Sequence, residues 1–154
     1  MNKFIIRKAA LQDVETLLTF EQGVITAERP FDSTLKTGPV HYYDIEKMIT
    51  ASDVELLVVQ LDDKIIACGY SRIENAKPYL RHQQHAYLGF MYVDPGYRGK
   101  GINKMIIDAL VKWSASLHIT ELRLDVYVPN TSAIKAYEKS GFTGLMLEMR
   151  MGLK

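Results

Sequence analysis

The run Tyr92-Val93-Asp94-Pro95-Gly96-Tyr97-Arg98-Gly99-Lys100-Gly101-Ile102-Asn103 concentrates the residue types that hold an anion. An apolar stretch stops at Val93, Asp94-Pro95-Gly96 supplies turn chemistry, and two more glycines precede an amphipathic run. The N–H groups of a first helical turn have no partner within the helix. Glycine lets a ligand come close to that backbone, and the helix dipole adds positive potential. Arg98, Lys100 and Lys104 add formal charge. The combination describes an anion site suited to a pyrophosphate. Spacing excludes two familiar forms of it. A Walker loop requires GxxxxGK followed by Ser or Thr, which is absent. The dinucleotide fingerprint GxGxxG fails because Lys104 stands where its third glycine belongs, although Asp125 lies roughly 20 residues further on. A glycine pair by itself is equally compatible with an ordinary strand-to-helix turn.

Other reactive residue types are sparse. Tyr137 follows Ala133 and Ile134 at helical spacing, so periodicity alone reads it as core. His82 and His85 are three apart with no third ligand near in sequence, which reads as two surface histidines and no metal site. Cys68 is the single cysteine. It forms no internal disulfide and points to a reducing, cytoplasmic compartment.

These residues need elements to position them. Phe4 to Arg7 reads as a short strand, and Val14, Leu17 and Leu18 as a helix with Asp13 at its start. Residues 24–41, with Pro30, Gly38 and Pro39, read as a long loop of functional type. Ile45, Met48 and Ile49 mark a short helix. Val54 to Leu61 and Lys64 to Ile73 form a hairpin across Asp62-Asp63. A loop from Asn75 to Gln84 leads to a strand from His85 to Val93. Ile102, Met105, Ile106, Ala109, Leu110, Trp113 and Leu117 then make one apolar stripe. Leu122 to Val128 reads as a strand. Asn130 caps a helix through Lys139 that Gly141 stops, and Leu145 to Leu153 reads as a last strand. The order β-α-α-β-β-β-α-β-α-β gives an α/β (α+β) fold with a mixed sheet. The unit from 85 to 128 crosses over right-handedly, which makes its two strands parallel.

The 154 residues show no repeat and no linker, so 1–154 is read as a single domain. With 19 basic and 18 acidic residues the net charge is +1, which argues against nucleic acid as a partner. Arg7 and Lys8 interrupt the first apolar stretch, so neither a secretion signal nor a membrane span is expected there.

Arg98-x-x-Gly101-x-Asn103, between a strand ending in Tyr92-Val93 and a long helix, resembles the coenzyme A pyrophosphate loop of the GNAT superfamily of acyl-CoA-dependent N-acyltransferases. An independent stretch, Asn130-Thr131-Ser132-Ala133-Ile134-x-x-Tyr137-Glu138-Lys139-x-Gly141-Phe142, resembles that family's following helix and the start of its next strand. Asn103 departs from the pattern, because Gly or Ala is usual there.

The resemblance implies acetyl-CoA as cosubstrate and no metal. It implies that two parallel strands splay apart, so that pantetheine pairs with the free edge at Met91, Tyr92 and Val93 and a backbone N–H there polarises the acyl carbonyl. The pyrophosphate would lie on Arg98, Gly99, Lys100, Gly101, Ile102, Asn103 and Lys104, with Asn130, Ala133 and Tyr137 as further cofactor contacts. The implied reaction is acetyl transfer to a primary amine by direct attack in a ternary complex. An amine with a pKa of about 10.4 costs more than about 4 kcal/mol to deprotonate at neutral pH, so a proton acceptor is needed. Tyr137 matches the family's proton donor to the thiolate. Asp125, acting through water, competes with Glu74, His85 and water alone for the role of base. Glu28 and Phe31, in the stretch Glu28-Arg29-Pro30-Phe31-Asp32, and Tyr43 with Tyr42 would line the acceptor pocket. The acceptor itself stays open among polyamine, amino acid, antibiotic and protein N-terminus. Two other readings remain, a non-catalytic acyl-CoA-binding domain of this fold and an anion-binding module unrelated to CoA. Homodimers built through the last strand are common in such folds.

Overall fold

The computed structural model describes residues 3–154. Its order is β1 (Phe4–Lys8), α1 (Val14–Glu28), α2 (Ile45–Thr50), β2 (Val54–Leu61), β3 (Lys64–Asn75), β4 (Gln84–Val93), α3 (Ile102–Ser116), β5 (Leu122–Arg123) and α4 (Thr131–Lys139). The five strands make one mixed sheet in sequence order. β1 to β4 are antiparallel neighbours, and β4 runs parallel to β5.

β2 shows why the sheet is covered on both faces. Leu56 and Val58 alternate with Leu57, Val59 and Leu61, and successive side chains leave opposite faces of a strand. The first pair joins Leu17, Phe20, Ile45, Met48 and Phe90 under α1 and α2. The second set joins Ile66, Leu88, Ile102, Ile106 and Leu110 under α3. The buried face of α3 is Ile102, Ile106, Ile107, Leu110 and Ser114, rotated from the expected stripe, and Leu117 is exposed. The rotation accommodates a buried hydroxyl pair, Ser71 with Ser114 at 3.0 Å, between β3 and α3.

Three expectations are corrected. The loop expected over 24–41 begins later, because α1 continues to Glu28 and a 3₁₀ turn carries the chain through Arg29–Phe31. The strand expected over Leu122 to Val128 is a two-residue strand. The last strand, Leu145 to Leu153, is absent. That segment has no secondary structure, and its six apolar side chains are 61–89% exposed. A strand needs a backbone partner, and this segment finds none among the described residues. Among the described residues no helix is long and apolar enough to cross a membrane.

Candidate active site

The site begins with an irregularity in β4. Cys68 pairs with Tyr92 and Tyr70 with Gly89, so Phe90 and Met91 together face Gly69. This is a β-bulge, which bends its strand and breaks the ladder. Phe90 sits at φ +53°, a rare conformation for a bulky residue, and is held there by burial and by a ring stack on Tyr43 at 4.5 Å. Among the described residues β4 meets β5 only at Ala86–Leu122 and Tyr87–Arg123, and from Leu88 onward it has no partner on that side. The bulge thus opens the splay that exposes the backbone edge at Met91, Tyr92 and Val93. Their side chains are structural: Tyr92 packs on Phe20 at 4.7 Å, and Met91 and Val93 pack on the α3 side.

The glycine loop follows that edge. Asp94 Oδ1 accepts from Gly96 N at 3.0 Å, and Pro95–Tyr97 form a 3₁₀ turn. Gly99 and Gly101 have φ of +79° and +77°, open to glycine and strained for other residues. Met105 N is the first to bond back into the helix, to Gly101 O at 3.2 Å. Among the described residues the N–H groups of Gly99, Lys100, Gly101, Ile102, Asn103 and Lys104 have no protein acceptor. Nothing lies within 4 Å of where a Cβ on Gly99 or Gly101 would stand. The loop therefore presents six amides without a protein acceptor and open space at two glycines, an arrangement compatible with an anionic ligand. Arg98 Nε donates to Val93 O at 2.9 Å, which fixes the side chain beside the loop. Lys104 is tied to Asp108 at 2.8 Å, so its charge is partly spent.

On the other side of the splay six of the nine tyrosines converge with three acids. Tyr43 lies 5.7 Å from Tyr42 and 5.9 Å from Tyr70, and Tyr70 lies 6.5 Å from Tyr87, ring centre to ring centre. Tyr87 donates to Asp125 Oδ2 at 3.1 Å. Tyr127 donates to Asp32 Oδ2 at 2.9 Å and stacks near Phe31. Glu28 is the electrostatic hub. Its charge raises the pKa of Tyr42, Tyr43, Tyr127 and Tyr137, in each case adding to a larger effect of burial. Burial pushes Glu28 itself above the ordinary carboxyl range.

Asn130 Oδ1 accepts from Ala133 N at 3.3 Å and so caps α4, while Gly141 at φ +104° ends it. α4 carries the half-buried Tyr137 toward Glu28. Tyr137 packs edge-on to Phe142 at 6.0 Å. Asp125 lies just beyond β5 instead of within a strand, bound to Tyr87. The rival bases are engaged elsewhere: Glu74 pairs with Arg72 at 2.6 Å and with His85 at 3.3 Å. His82 and His85 meet at 3.4 Å. Tyr70, Tyr87, Tyr127 and the Phe90 bulge escaped the sequence reading. Alternation placed the first two as strand residues, and no local pattern marks a bulge whose residue is phenylalanine.

The family model for the acetyltransferase (GNAT) family matches residues 22–142. The chain belongs to this family. It is 28% identical over 94 residues to N-alpha-acetyltransferase 30 of Saccharomyces cerevisiae, covering 57% of this chain and 52% of that relative, so it spans about half the relative's length. In fold, this GNAT chain is similar to a mutant of the BH1408 protein of Bacillus halodurans, with a TM-score of 0.88 at 22% identity over 97% of this chain and 99% of that one. It is also similar to a predicted acetyltransferase with acetyl-CoA from Clostridium acetobutylicum, with a TM-score of 0.70 at 20% identity over 97% and 96% of the two chains.

Proposed function

We propose that this GNAT protein is an N-acetyltransferase that moves the acetyl group of acetyl-CoA to a primary amine by direct attack in a ternary complex. The observation that carries the reading is the pair of sites that meet at the splay. Six amides without a protein acceptor lie on one side of it, and a cluster of tyrosines with Glu28, Asp32 and Asp125 lies on the other. The amides from Gly99 to Lys104, with Arg98 beside them, hold the diphosphate. The free edge at Met91 to Val93 pairs with the pantetheine arm and polarises the thioester carbonyl through a backbone N–H. Glu28, Phe31 and Tyr43 receive the amine, whose cation the raised-pKa carboxylate of Glu28 attracts.

Asp125, through water, takes a proton from the ammonium. The freed nitrogen lone pair then forms the C–N bond as the C–S bond breaks, and the nitrogen sheds its second proton through water, which restores the phenol of Tyr137 once that group has protonated the thiolate. Tyr137, held protonated by burial and by Glu28, gives its proton to the departing thiolate. Asn130 and Ala133 hold the start of α4 against the cofactor. The likeness to N-alpha-acetyltransferase 30 supports testing peptide α-amines first among the acceptors. We take residues 1–154 to act as one catalytic unit, assembled as a homodimer through the exposed segment 145–153.

The test is thiol release from acetyl-CoA with a panel of peptides, amino acids, polyamines and amine antibiotics, beside calorimetry with CoA alone. Release with one class establishes the reading. Binding without release from any class supports a non-catalytic acyl-CoA domain, and no CoA binding at millimolar concentration sinks the proposal.

A further inference from the structure

Glu21 lies in the middle of α1, is fully buried, and occupies a helix position where packing alone would select an apolar residue. A buried carboxylate is tolerated only when its oxygens are satisfied. Oε2 accepts from Tyr42 N at 2.8 Å and from Tyr43 N at 2.9 Å. Oε1 meets His41 Nδ1 at 2.8 Å. All these partners lie in the loop between α1 and α2, so one side chain latches three consecutive residues of that loop to the helix.

The latch sets two rings. It holds Tyr43 against Phe90, nearly parallel at 23°, and it turns Tyr42 edge-on to Tyr43, at 87°. Tyr42 Oη is then buried with no hydrogen bond of regular geometry, and its polar neighbour there is the Glu28 carboxyl, near enough for a weak bond. The carboxylate also acts on the pKa of the phenol, which burial first of all pushes up to about 12. A phenol at that pKa stays protonated and neutral through the physiological range. A buried hydroxyl without a regular bond works against folding, and Glu21 supplies the backbone bonds that hold it in place.

Resting on the transferase reading, we propose that Tyr42 is a specificity-determining residue, with Oη accepting a hydrogen bond from the acceptor amine while Glu28 accepts a second. Glu21 is the positioning residue that presents it. The arrangement selects acceptors with at least two N–H groups at the reacting nitrogen, that is, primary over secondary amines.

Steady-state kinetics of Tyr42→Phe, Glu21→Gln and Glu21→Ala, each with a melting curve, test this. Tyr42→Phe is expected to raise KM for the acceptor about tenfold, about 1.4 kcal/mol, with KM for acetyl-CoA within about twofold. Its Tm is expected to change little, because the buried hydroxyl that is removed makes no bond of regular geometry. Glu21→Ala is expected to raise acceptor KM and lower Tm. Glu21→Gln keeps one acceptor oxygen and should recover part of both. Active wild type with acceptor KM unchanged in Tyr42→Phe overturns the assignment alone, as does an equal rise in both KM values. Wild type that releases no thiol with any amine overturns the transferase reading and this one with it.

Discussion

Single side chains carry the chemistry, and two of them give clean tests. Tyr137→Phe removes the proposed proton donor and leaves the ring on Phe142. Its kcat is expected to fall by about a hundredfold or more, the usual size of general-acid catalysis, with KM for acetyl-CoA little changed. Retention of wild-type kcat across the pH range would remove the role. Glu28 provides a pH signature. Burial holds its carboxyl above the ordinary range, so its charge, and with it acceptor binding, is lost as pH falls through that raised value. Stability runs the other way. A raised carboxyl contributes most below its unfolded pKa, and that contribution is lost as pH rises through the folded value. Glu28→Gln is therefore expected to flatten the acid limb of acceptor kcat/KM, raise acceptor KM, and leave Tm at neutral pH unchanged or higher. Both candidates could be named from the sequence, Tyr137 through the motif that begins at Asn130 and Glu28 through its place near the expected roof, and the structure brings the two near each other. Tyr70, Tyr87 and Tyr127 were not, because each joins the site through pairings as distant as Tyr127 with Asp32, and no spacing rule reaches that far.

Elements were legible where local composition is unmixed and illegible where a polar residue faces inward. α3 announces itself by its apolar stripe, α4 by its cap and stop, and β2 and β3 by aliphatic runs on either side of a turn. The second half of α1 does not, since Glu21 stands in its buried row and breaks the apolar repeat that would have carried the helix to Glu28. β5 is short because its neighbour turns away. The Phe90 bulge takes β4 out of reach after two pairs, so propensity over 122–128 had no ladder to join. The start of α1 depends on an ion pair between elements. Asp13, 4% exposed, takes Arg7 Nη1 at 2.8 Å and Nη2 at 2.9 Å, and accepts Ala10 N at 2.7 Å. The Arg7 hydrogen bonds, foremost, hold the Asp13 carboxyl below its ordinary range. A lowered carboxyl pKa stabilises the fold above the unfolded value, and that stability is lost as pH falls through the folded one. Asp13→Asn, which removes the charge that Arg7 pairs with, is expected to cost about 2 kcal/mol at neutral pH. Urea unfolding measures it, and the gap from wild type should close in acid. A cost that stays constant from neutral to acid pH would show that the pair is not the source.

At the scale of the whole molecule two unpaired edges face the same problem. The segment 145–153 places Leu145, Leu147, Met149, Met151 and Leu153 at every second position, and all are exposed. Residues 124–128, beyond β5, continue a strand-like alternation with no ladder partner on either side among the described residues. An exposed apolar segment and a free strand edge on one chain invite reciprocal addition between two copies, which closes with two-fold symmetry and leaves no edge to propagate. Exchange of two such segments buries an area of the order of a standard interface, about 1,600 Å². Asp125 and Tyr127 lie on the edge that would be paired, so assembly would brace a segment that carries two residues of the proposed pocket. Light scattering is expected to give a mass twice the 17.5 kDa of one chain, with specific activity rising with protein concentration through the dimer transition. The double variant Leu147→Lys, Met149→Lys is expected to be monomeric, with acceptor kcat/KM reduced and CoA binding retained, because the glycine loop lies between β4 and α3, away from that edge. A wild-type protein that is monomeric and fully active at every concentration would leave the exposed segment without this role.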